Sequence, residues 1–223
     1  MHKTHNASTT GSGPETTGAT LHKASQYDFH TSLLGLGVNQ SNSKMVVEMA
    51  KIKPGNKVLD IGCGSGNLTL TAKKHAGRSG SVYGIDAAPE MIAVARKKAW
   101  QLRTDVIFDV GLIEKLLFED STFDVVISRL VIHHLPNDLK LRGFAETFRV
   151  LKPNGRLFLV DFIPPMNPIL SHITSAFVGH EMMTRSEVSV IPPMLTGTGF
   201  IDVASGPTRS PFLAFVSGRK PGN

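Results

Sequence analysis

One acidic residue and three closely spaced glycines give this chain its clearest chemical signal. Asp60 stands in the apolar run at residues 58–61, and Gly62, Gly64 and Gly66 follow at every second position. An apolar, β-favouring run that meets alternating glycines is typical of a buried strand ending in a tight turn. Because glycine has no Cβ, such a turn lets a nucleotide lie directly against the backbone. These residues therefore predict a nucleotide-binding turn.

The spacing of the glycines narrows the kind of nucleotide. The dinucleotide fingerprint G-x-G-x-x-G needs a third glycine where Asn67 stands, and a phosphate loop needs a Gly-Lys-Ser/Thr sequence that the chain lacks here. Cys63 lies inside the turn, where any small residue would serve, and we interpret it as a filler rather than a nucleophile. The turn is thus expected to bind a nucleotide other than NAD or ATP.

A second acid supports a nucleotide site. Asp86 ends the next apolar run, twenty residues after Gly66, and is followed by Ala87. Nucleotide sites of the βαβ kind place an acid at this distance to bind the ribose hydroxyls. The alternative is that Asp86 caps the helix expected to start near Pro89. We favour the ribose, because a carboxylate can accept both hydroxyls with charge-assisted bonds.

Three motifs in the same order resemble a known family. D-I-G-C-G-S-G resembles the first motif of the class I S-adenosylmethionine-dependent methyltransferases. The string L-x-F-x-D-x-x-F-D-V-V-I-S with L-V-I-H-H-L, and then L-K-P-N-G-R-L, are similar to the type 11 methyltransferases, which include quinone-biosynthesis enzymes. The resemblance covers about residues 44–161. It implies S-adenosyl-L-methionine as cofactor, with its methionine part over the glycines, Asp60 near its ammonium group and Asp86 at its ribose.

The chain departs from the family pattern at the adenine. Leu112 stands where many members carry an acid that holds the adenine amino group, so apolar contact, backbone groups around Ile113 or another side chain must replace it. Ser128 and Arg129 end the predicted fourth strand and are expected at the same crevice. The predicted cofactor-binding residues are Asp60, Gly62, Cys63, Gly64, Gly66, Asp86, Ala87, Leu112, Ile113, Ser128, Arg129 and Tyr27.

The adjacent histidines His133 and His134 are the candidates for proton transfer. Histidine titrates near neutral pH, and a base is needed only when the accepting atom must lose a proton. The alternative is local packing or hydrogen bonding, which is expected for at least one of the two, and we favour His134 as the catalytic one. The spacings H-x-E, H-x-x-x-H and C-x-x-C are absent, so no metal site is predicted.

Composition restricts the class of protein. With 223 residues, of which 41% are hydrophobic, the chain suits one α/β domain. A net charge of +6, placed mainly on predicted helix faces, argues against a nucleic-acid partner. The single cysteine cannot form an internal disulfide, and there is neither an apolar signal region nor an apolar run long enough to span a membrane. We therefore expect a cytoplasmic protein without an integral membrane segment; its oligomeric state is left open.

Alternating strand and helix patterns predict the fold. We expect a Rossmann-like α/β domain with a seven-stranded, mostly parallel sheet, an antiparallel last strand and helices on both faces. Residues 1–20 are expected to form a disordered tail, and residues 21–223 a single domain. Within it, residues 21–56 form an N-terminal strap or lid and a helix, residues 57–161 the cofactor core, and residues 162–223 the substrate side and closing strands. Tyr27 in the strap is expected to reach the carboxylate of the cofactor.

The expected activity is methyl transfer to an O, C or N atom of a small, partly hydrophobic molecule. The apolar segments 27–36 and 162–183 are the expected covers of the acceptor, although core packing would also explain their composition. Alternatives are a quinone or lipid acceptor, or a domain that binds S-adenosylmethionine without catalysis. A dehydrogenase is disfavoured by the glycine spacing.

Overall fold

The computed structural model describes residues 40–163, 188–210 and 213–222. The predicted tail (1–20), the strap with Tyr27, and most of the second cover segment lie outside this part of the chain. The elements in order are α1 (Gln40–Met49), β1 (Lys57–Ile61), α2 (Asn67–Ala76), β2 (Ser81–Asp86), α3 (Pro89–Gln101), β3 (Ile107–Val110), β4 (Phe123–Arg129), a 3-10 turn (Ile132–His134), α4 (Asn137–Val150), β5 (Leu151–Phe162), a second 3-10 turn (Val188–Val190), α5 (Ile191–Thr198), β6 (Ile201–Pro207) and β7 (Leu213–Arg219).

The strands form one seven-stranded sheet in the order β3-β2-β1-β4-β5-β7-β6. The first five strands are parallel neighbours, whereas β7 pairs antiparallel with both β5 and β6. The predicted mostly parallel sheet with an antiparallel last strand is confirmed. The chain inserts that last strand between β5 and β6, which the sequence pattern did not predict.

The helices cover both faces of the sheet, as predicted. Successive side chains of β1 point to opposite faces, so Val58 enters one buried cluster and Leu59 the other. The first cluster contains residues of α1, α2 and α3, and the second contains residues of α4 and α5. Large side chains such as Phe123 and Phe144 are almost fully buried, and burying each contributes roughly 2–3 kcal/mol.

Two predicted helices have different bounds in the structure. From the sequence, Ser43 is expected to cap a helix over residues 44–52, but α1 begins at Gln40 and Ser43 is buried inside it. The helix expected over 184–198 is α-helical from Ile191, where Pro192 and Pro193 occupy first-turn positions that need no intrahelical N–H bond. Residues 184–187 lie outside the described part.

The order of the strands creates a switch point between β1 and β4. From β1 the chain continues to β2 and β3 on one side, and from β4 to β5 on the other. In open sheets of this kind ligands bind in the crevice beyond the carboxyl ends of the strands at such a point. In the sheet, Ile61 is paired with both Ile85 and Ser128, so the carboxyl ends of β1, β2 and β4 lie side by side at this crevice.

Within the described residues, no helix has the length and apolarity needed to cross a bilayer. The same residues contain no group of three or more His, Cys, Asp or Glu side chains placed to hold a metal ion.

Candidate functional site

The three glycines of the turn after β1 all adopt left-handed backbone angles, for different packing reasons. Gly62, Gly64 and Gly66 have φ values of 67°, 52° and 85°. A Cβ on Gly62 would lie 2.3 Å from Cγ2 of Val131, and one on Gly66 would lie 2.7 Å from Cζ of Phe108. At Gly64 a Cβ would meet no described atom within 4 Å. The missing Cβ therefore admits protein side chains at Gly62 and Gly66, whereas at Gly64 the described part of the chain leaves room for a ligand.

The backbone N–H groups of this glycine turn (residues 62–66) hold the turn itself together. The Cys63 N–H donates to the Ile85 carbonyl at 2.9 Å, the Gly66 N–H to the Cys63 carbonyl at 3.0 Å, and the Gly64 N–H to Oδ2 of Asp86 at 2.8 Å. A pyrophosphate site depends on N–H groups that point at the anion. Since these three N–H groups are engaged, the turn suits a ligand that lies on the backbone without phosphates.

Asp60 is a buried carboxylate with one unsatisfied oxygen. Its side chain is 1% exposed, and Oδ2 accepts a hydrogen bond of 2.6 Å from Oγ1 of Thr69 on α2. No described residue donates to Oδ1. Burial raises the pKa of Asp60 to about 7, and the hydrogen bond from Thr69 and the charge of Arg129 act in the opposite direction. A buried acceptor without a donor is rare in native proteins, so Oδ1 fits a cationic donor of a bound ligand.

Asp86 ends β2 and holds two loops with its two oxygens. Oδ2 accepts from the Gly64 N–H at 2.8 Å, and Oδ1 accepts from the Ala88 N–H at 2.9 Å beside the start of α3. Burial raises the pKa of Asp86, and these two backbone hydrogen bonds oppose the shift. The capping alternative is therefore realised in part by the bond to Ala88. Each carboxylate oxygen can accept more than one hydrogen bond, so the ribose role remains a prediction.

Cys63 and Ser128 lie at the crevice but have structural side-chain contacts. Cys63 is buried, and burial raises the pKa of its thiol well above the ordinary value, which disfavours a nucleophilic thiolate. Ser128 donates from Oγ to the Ile61 carbonyl at 2.8 Å and so joins β4 to β1. Arg129, the next residue, donates from Nη1 to Oγ of Ser43 at 3.1 Å. The guanidinium of Arg129 thereby links the crevice to α1 on the same side as Asp60.

In the segment predicted to face the adenine, one side chain lies at the crevice and the next lies in the core. Leu112 is half-buried, whereas the Ile113 side chain is 7% exposed and packs in the core against Gly143. Only the backbone of Ile113 therefore remains available to an adenine. The Gly111 N–H donates to the Asp86 carbonyl at 3.0 Å, which holds this segment next to the predicted ribose site and beside the half-buried Ala87.

The two histidines lie in a 3-10 turn directly after β4, here called the histidine turn (Ile132–His134). His133 is 4% exposed, and its Nδ1 lies 2.5 Å from Oδ1 of Asp161. The ring of His134 lies against that of His133 with 3.9 Å between centroids. Burial, followed by the charge of the neighbouring His133, lowers the pKa of His134 to about 4, and the charge of Asp161 opposes this shift. His133 thus makes local hydrogen bonds to Asp161 of the kind expected for at least one of the pair.

Three residues that contact the site residues were not singled out from the sequence. Thr69 binds Asp60, Asp161 binds His133, and Lys98 donates from Nζ to Oγ of Ser65 and Oδ1 of Asn67, both at 3.0 Å. A signal existed for Asp161, because it ends a strand as Asp60 and Asp86 do. The basic run at residues 96–98 predicts a solvated helix face, which is wrong for Lys98 because its ammonium group binds Ser65 and Asn67.

Comparisons with known proteins agree with the site. Residues 58–155 match the methyltransferase-domain family. The chain is 33% identical over 150 residues to a demethylmenaquinone methyltransferase from Lactobacillus johnsonii, covering 66% of this chain and 60% of the relative. It is 30% identical over 150 residues to a ubiquinone/menaquinone biosynthesis C-methyltransferase from Hydrogenovibrio crunogenus, covering 66% and 58%. The chain therefore spans about 60% of the length of these curated relatives.

Solved structures share the fold. A methyltransferase from Aquifex aeolicus described as S-adenosylmethionine-dependent aligns with a TM-score of 0.69 at 23% identity, covering 89% of this chain and 99% of that one. Phosphoethanolamine N-methyltransferase 2 from Haemonchus contortus, in complex with phosphomonomethylethanolamine and S-adenosylhomocysteine, aligns with a TM-score of 0.72 at 18% identity, covering 88% and 57%. The family match at residues 58–155, the sheet order and the glycine turn together support a relationship to the class I S-adenosylmethionine-dependent methyltransferases.

Proposed function

We propose that this protein transfers the methyl group of S-adenosylmethionine to an O, C or N atom of a small, partly hydrophobic molecule rather than to a nucleic acid. The observation that carries the proposal is the buried carboxylate of Asp60, whose Oδ1 has no donor among the described residues and lies at the crevice end of β1. An ammonium group is the kind of donor such an oxygen requires, and the methionine part of the cofactor carries one.

Three groups of the chain would hold the cofactor. Asp60 would bind the ammonium group, the open backbone surface at Gly64 would lie under the methionine part, and Asp86 would accept from the ribose hydroxyls. The engaged N–H groups of the glycine turn support a cofactor without phosphates over a dinucleotide. Adenine would rest on Leu112 and the backbone of Ile113.

Bound S-adenosylmethionine supplies a methyl group on a positively charged sulfur, which needs no metal for its transfer. The acceptor would form the new bond to the methyl carbon with an electron pair, which is a lone pair for O or N and a π pair of an activated ring for C, and the cofactor would leave as S-adenosylhomocysteine with the electron pair of the broken carbon–sulfur bond. A proton carried by the acceptor atom is then released. The protein contributes chiefly by aligning the partners, an effect worth roughly 7–11 kcal/mol in well-oriented reactions.

We propose His134 rather than His133 as the group that takes this proton. Nδ1 of His133 already contacts Asp161, whereas burial keeps His134 neutral at physiological pH by lowering its pKa to about 4. A neutral imidazole can accept a proton, and a base this weak passes it on to water. Replacing His134 with Gln should slow transfer to a protonated acceptor and leave binding of S-adenosylhomocysteine intact.

A quinone precursor is the second candidate acceptor. Two relatives at 33% and 30% identity are named for methylation in menaquinone or ubiquinone biosynthesis. Carbon methylation of a quinol ring also requires loss of a proton, which fits a base beside the crevice. A short-chain demethylmenaquinol, a set of simple phenols and a set of amines, each assayed for release of S-adenosylhomocysteine, separate these acceptors.

Calorimetry tests the cofactor part of the proposal. S-adenosylmethionine and S-adenosylhomocysteine should bind, and NAD should not. Asp86→Ala should weaken S-adenosylhomocysteine binding at least about 30-fold, or about 2 kcal/mol, because two charge-assisted hydrogen bonds are lost. Asp138→Ala is the matched control, since Asp138 is exposed on α4 and pairs with Arg142.

A modified ligand separates the ribose role of Asp86 from its role in the loop. The 2′-deoxy analogue of S-adenosylhomocysteine should bind more weakly than the parent compound to the wild-type protein. The two compounds should bind equally to Asp86→Ala if that carboxylate accepts from the missing hydroxyl. Equal binding of both to the wild type, or tight NAD binding, contradicts the assignment. Binding of S-adenosylmethionine without release of S-adenosylhomocysteine from any acceptor would favour the non-catalytic alternative.

A further inference from the structure

Asp161 is a buried carboxylate whose two oxygens accept hydrogen bonds from the histidine turn and from the end of its own strand. Oδ1 accepts from Nδ1 of His133 at 2.5 Å and from the Phe162 N–H at 2.8 Å, and Oδ2 accepts from the His133 N–H at 3.0 Å. Asp161 and His133 are each 4% exposed. One carboxylate at the end of β5 therefore fixes both the backbone and the ring of a residue that follows β4.

This contact sets the proton position on the ring of His133. A carboxylate oxygen accepts hydrogen bonds, so Nδ1 of the imidazole carries a hydrogen. A carboxylate bound to one imidazole nitrogen fixes the tautomer and the orientation of that ring. The ring also meets the edge of Phe162, with 5.3 Å between centroids. His133 is thereby held on two sides by residues of β5.

His134 lies against this fixed ring. The two imidazoles are 3.9 Å apart between centroids and tilted by 44°. The His134 N–H donates to the Val131 carbonyl at 3.0 Å, and the Val131 side chain fills the space that a Cβ on Gly62 would occupy. The His134 ring therefore lies against the fixed ring of His133, and its backbone is joined to Val131, which packs on the glycine turn.

We propose that Asp161 is a positioning residue for methyl transfer, acting through His133 to orient the His134 ring at the carboxyl end of β4. This inference rests on the proposed function, in which His134 takes the proton from the acceptor. The charges that act on His134 from the packed elements are those of His133 and Asp161, which oppose each other. The carboxylate thus positions the pair and also partly offsets the effect of burial on the pKa of His134.

Asp161→Asn tests the geometry with little change in volume. The amide has one oxygen for three donors, so its NH2 group must face either Nδ1 of His133 or a backbone N–H. Nitrogen-15 NMR of the imidazoles should show the Nδ1–H tautomer for His133 in the wild type, and its loss together with shifted His134 ring signals in Asp161→Asn. Asp138→Asn, an exposed change on α4, should leave both histidine spectra unchanged.

The catalytic readout uses single-turnover methyl transfer with saturating S-adenosylmethionine and the panel acceptor that turns over fastest. Asp161→Asn should slow this step about tenfold or more, while the Kd for S-adenosylhomocysteine stays within about twofold. His133→Phe should slow it by a similar factor, and the double variant should be no slower than either one. That non-additivity is the sign that Asp161 acts through His133.

A wild-type spectrum with the Nε2–H tautomer at His133 would overturn the inference, as would an Asp161→Asn protein that transfers methyl groups at the wild-type rate. Additive losses in the double variant would also overturn it. If the wild type methylates no compound in the panel, the proposed function has failed. The positioning geometry is then decided by the NMR spectra alone, which must show the Nδ1–H tautomer and the displaced His134 signals.

Discussion

Replacing Asp60 with Asn should make the cofactor-free protein more stable and abolish tight cofactor binding. Burial raises the pKa of Asp60 from 3.8 to about 7, so the folded state binds a proton more tightly than the unfolded chain does. The stability linked to this proton is complete below pH 3.8 and is lost as the pH rises through 7. Relative to a carboxyl group whose pKa does not change on folding, Asp60 therefore lowers the free energy of unfolding by about 1.5 kcal/mol at pH 5, where the folded state must keep its proton, and by about 4 kcal/mol at pH 8, where the buried group is ionised.

Asparagine removes this charge and keeps the acceptor for Thr69. We expect Asp60→Asn to raise the free energy of unfolding by about 3 kcal/mol at pH 8 and by about 1 kcal/mol at pH 5. Urea denaturation of the cofactor-free proteins at both pH values, with Asp138→Asn as the exposed control, measures the difference. The same variant should bind S-adenosylhomocysteine at least about 30-fold more weakly, because the ammonium group loses a buried charged partner.

Two results would refute this reasoning. One is a stability difference between Asp60→Asn and the wild type that does not grow with pH, which would mean that the carboxylate is not desolvated. The other is unchanged affinity for S-adenosylhomocysteine, which would mean that Oδ1 of Asp60 does not face the ammonium group.

Three further predictions use the same measurements. His134 has a pKa of about 4 in the folded protein and 6.5 in the unfolded chain, so it destabilises the wild type as the pH falls. Between pH 7 and pH 4.5, the free energy of unfolding should therefore fall by about 2 kcal/mol less in His134→Asn than in the wild type. In thermal unfolding, Gly64→Ala should lose about 1 kcal/mol of stability through backbone strain. This variant should still fold, and it should bind S-adenosylhomocysteine weakly. Gly62→Ala should be far less stable, because its Cβ would meet Val131. In calorimetry, Lys98→Met should weaken S-adenosylhomocysteine binding several-fold by releasing the glycine turn, and the exposed control Lys97→Met should not.

Much of the fold followed from local patterns in the sequence. Apolar runs, helix-start prolines and glycine breaks predicted the central strands and helices, and α2 has the predicted bounds of Asn67–Ala76. The place of β7 between β5 and β6 did not follow, because an antiparallel strand can extend either edge of a strand pair without a change in its own pattern. The register of the last strands depends on packing that a single sequence does not display.

The acidic residues of the candidate site could be predicted from the sequence, but the residues that contact them could not. Asp60 was identifiable because it comes directly before the glycine turn, and Asp86 because it ends the next strand at the distance where βαβ nucleotide sites place an acid. Thr69, Lys98 and Asp161 were not, because each contacts a residue from another element, and such contacts leave no fixed spacing in the sequence.

The sequence by itself determined that a strand, a glycine turn and a helix form a nucleotide site, since glycine spacing and strand-end acids act within one local segment. Only the tertiary structure decided what each residue does there. Side chains pack where a Cβ would stand at Gly62 and Gly66, whereas no described atom does so at Gly64. The Asp86 carboxylate binds two loops, and the Asp161 carboxylate holds His133. The physical reason is that burial, desolvation and hydrogen bonding depend on neighbours from distant parts of the chain, which meet only when the sheet has assembled.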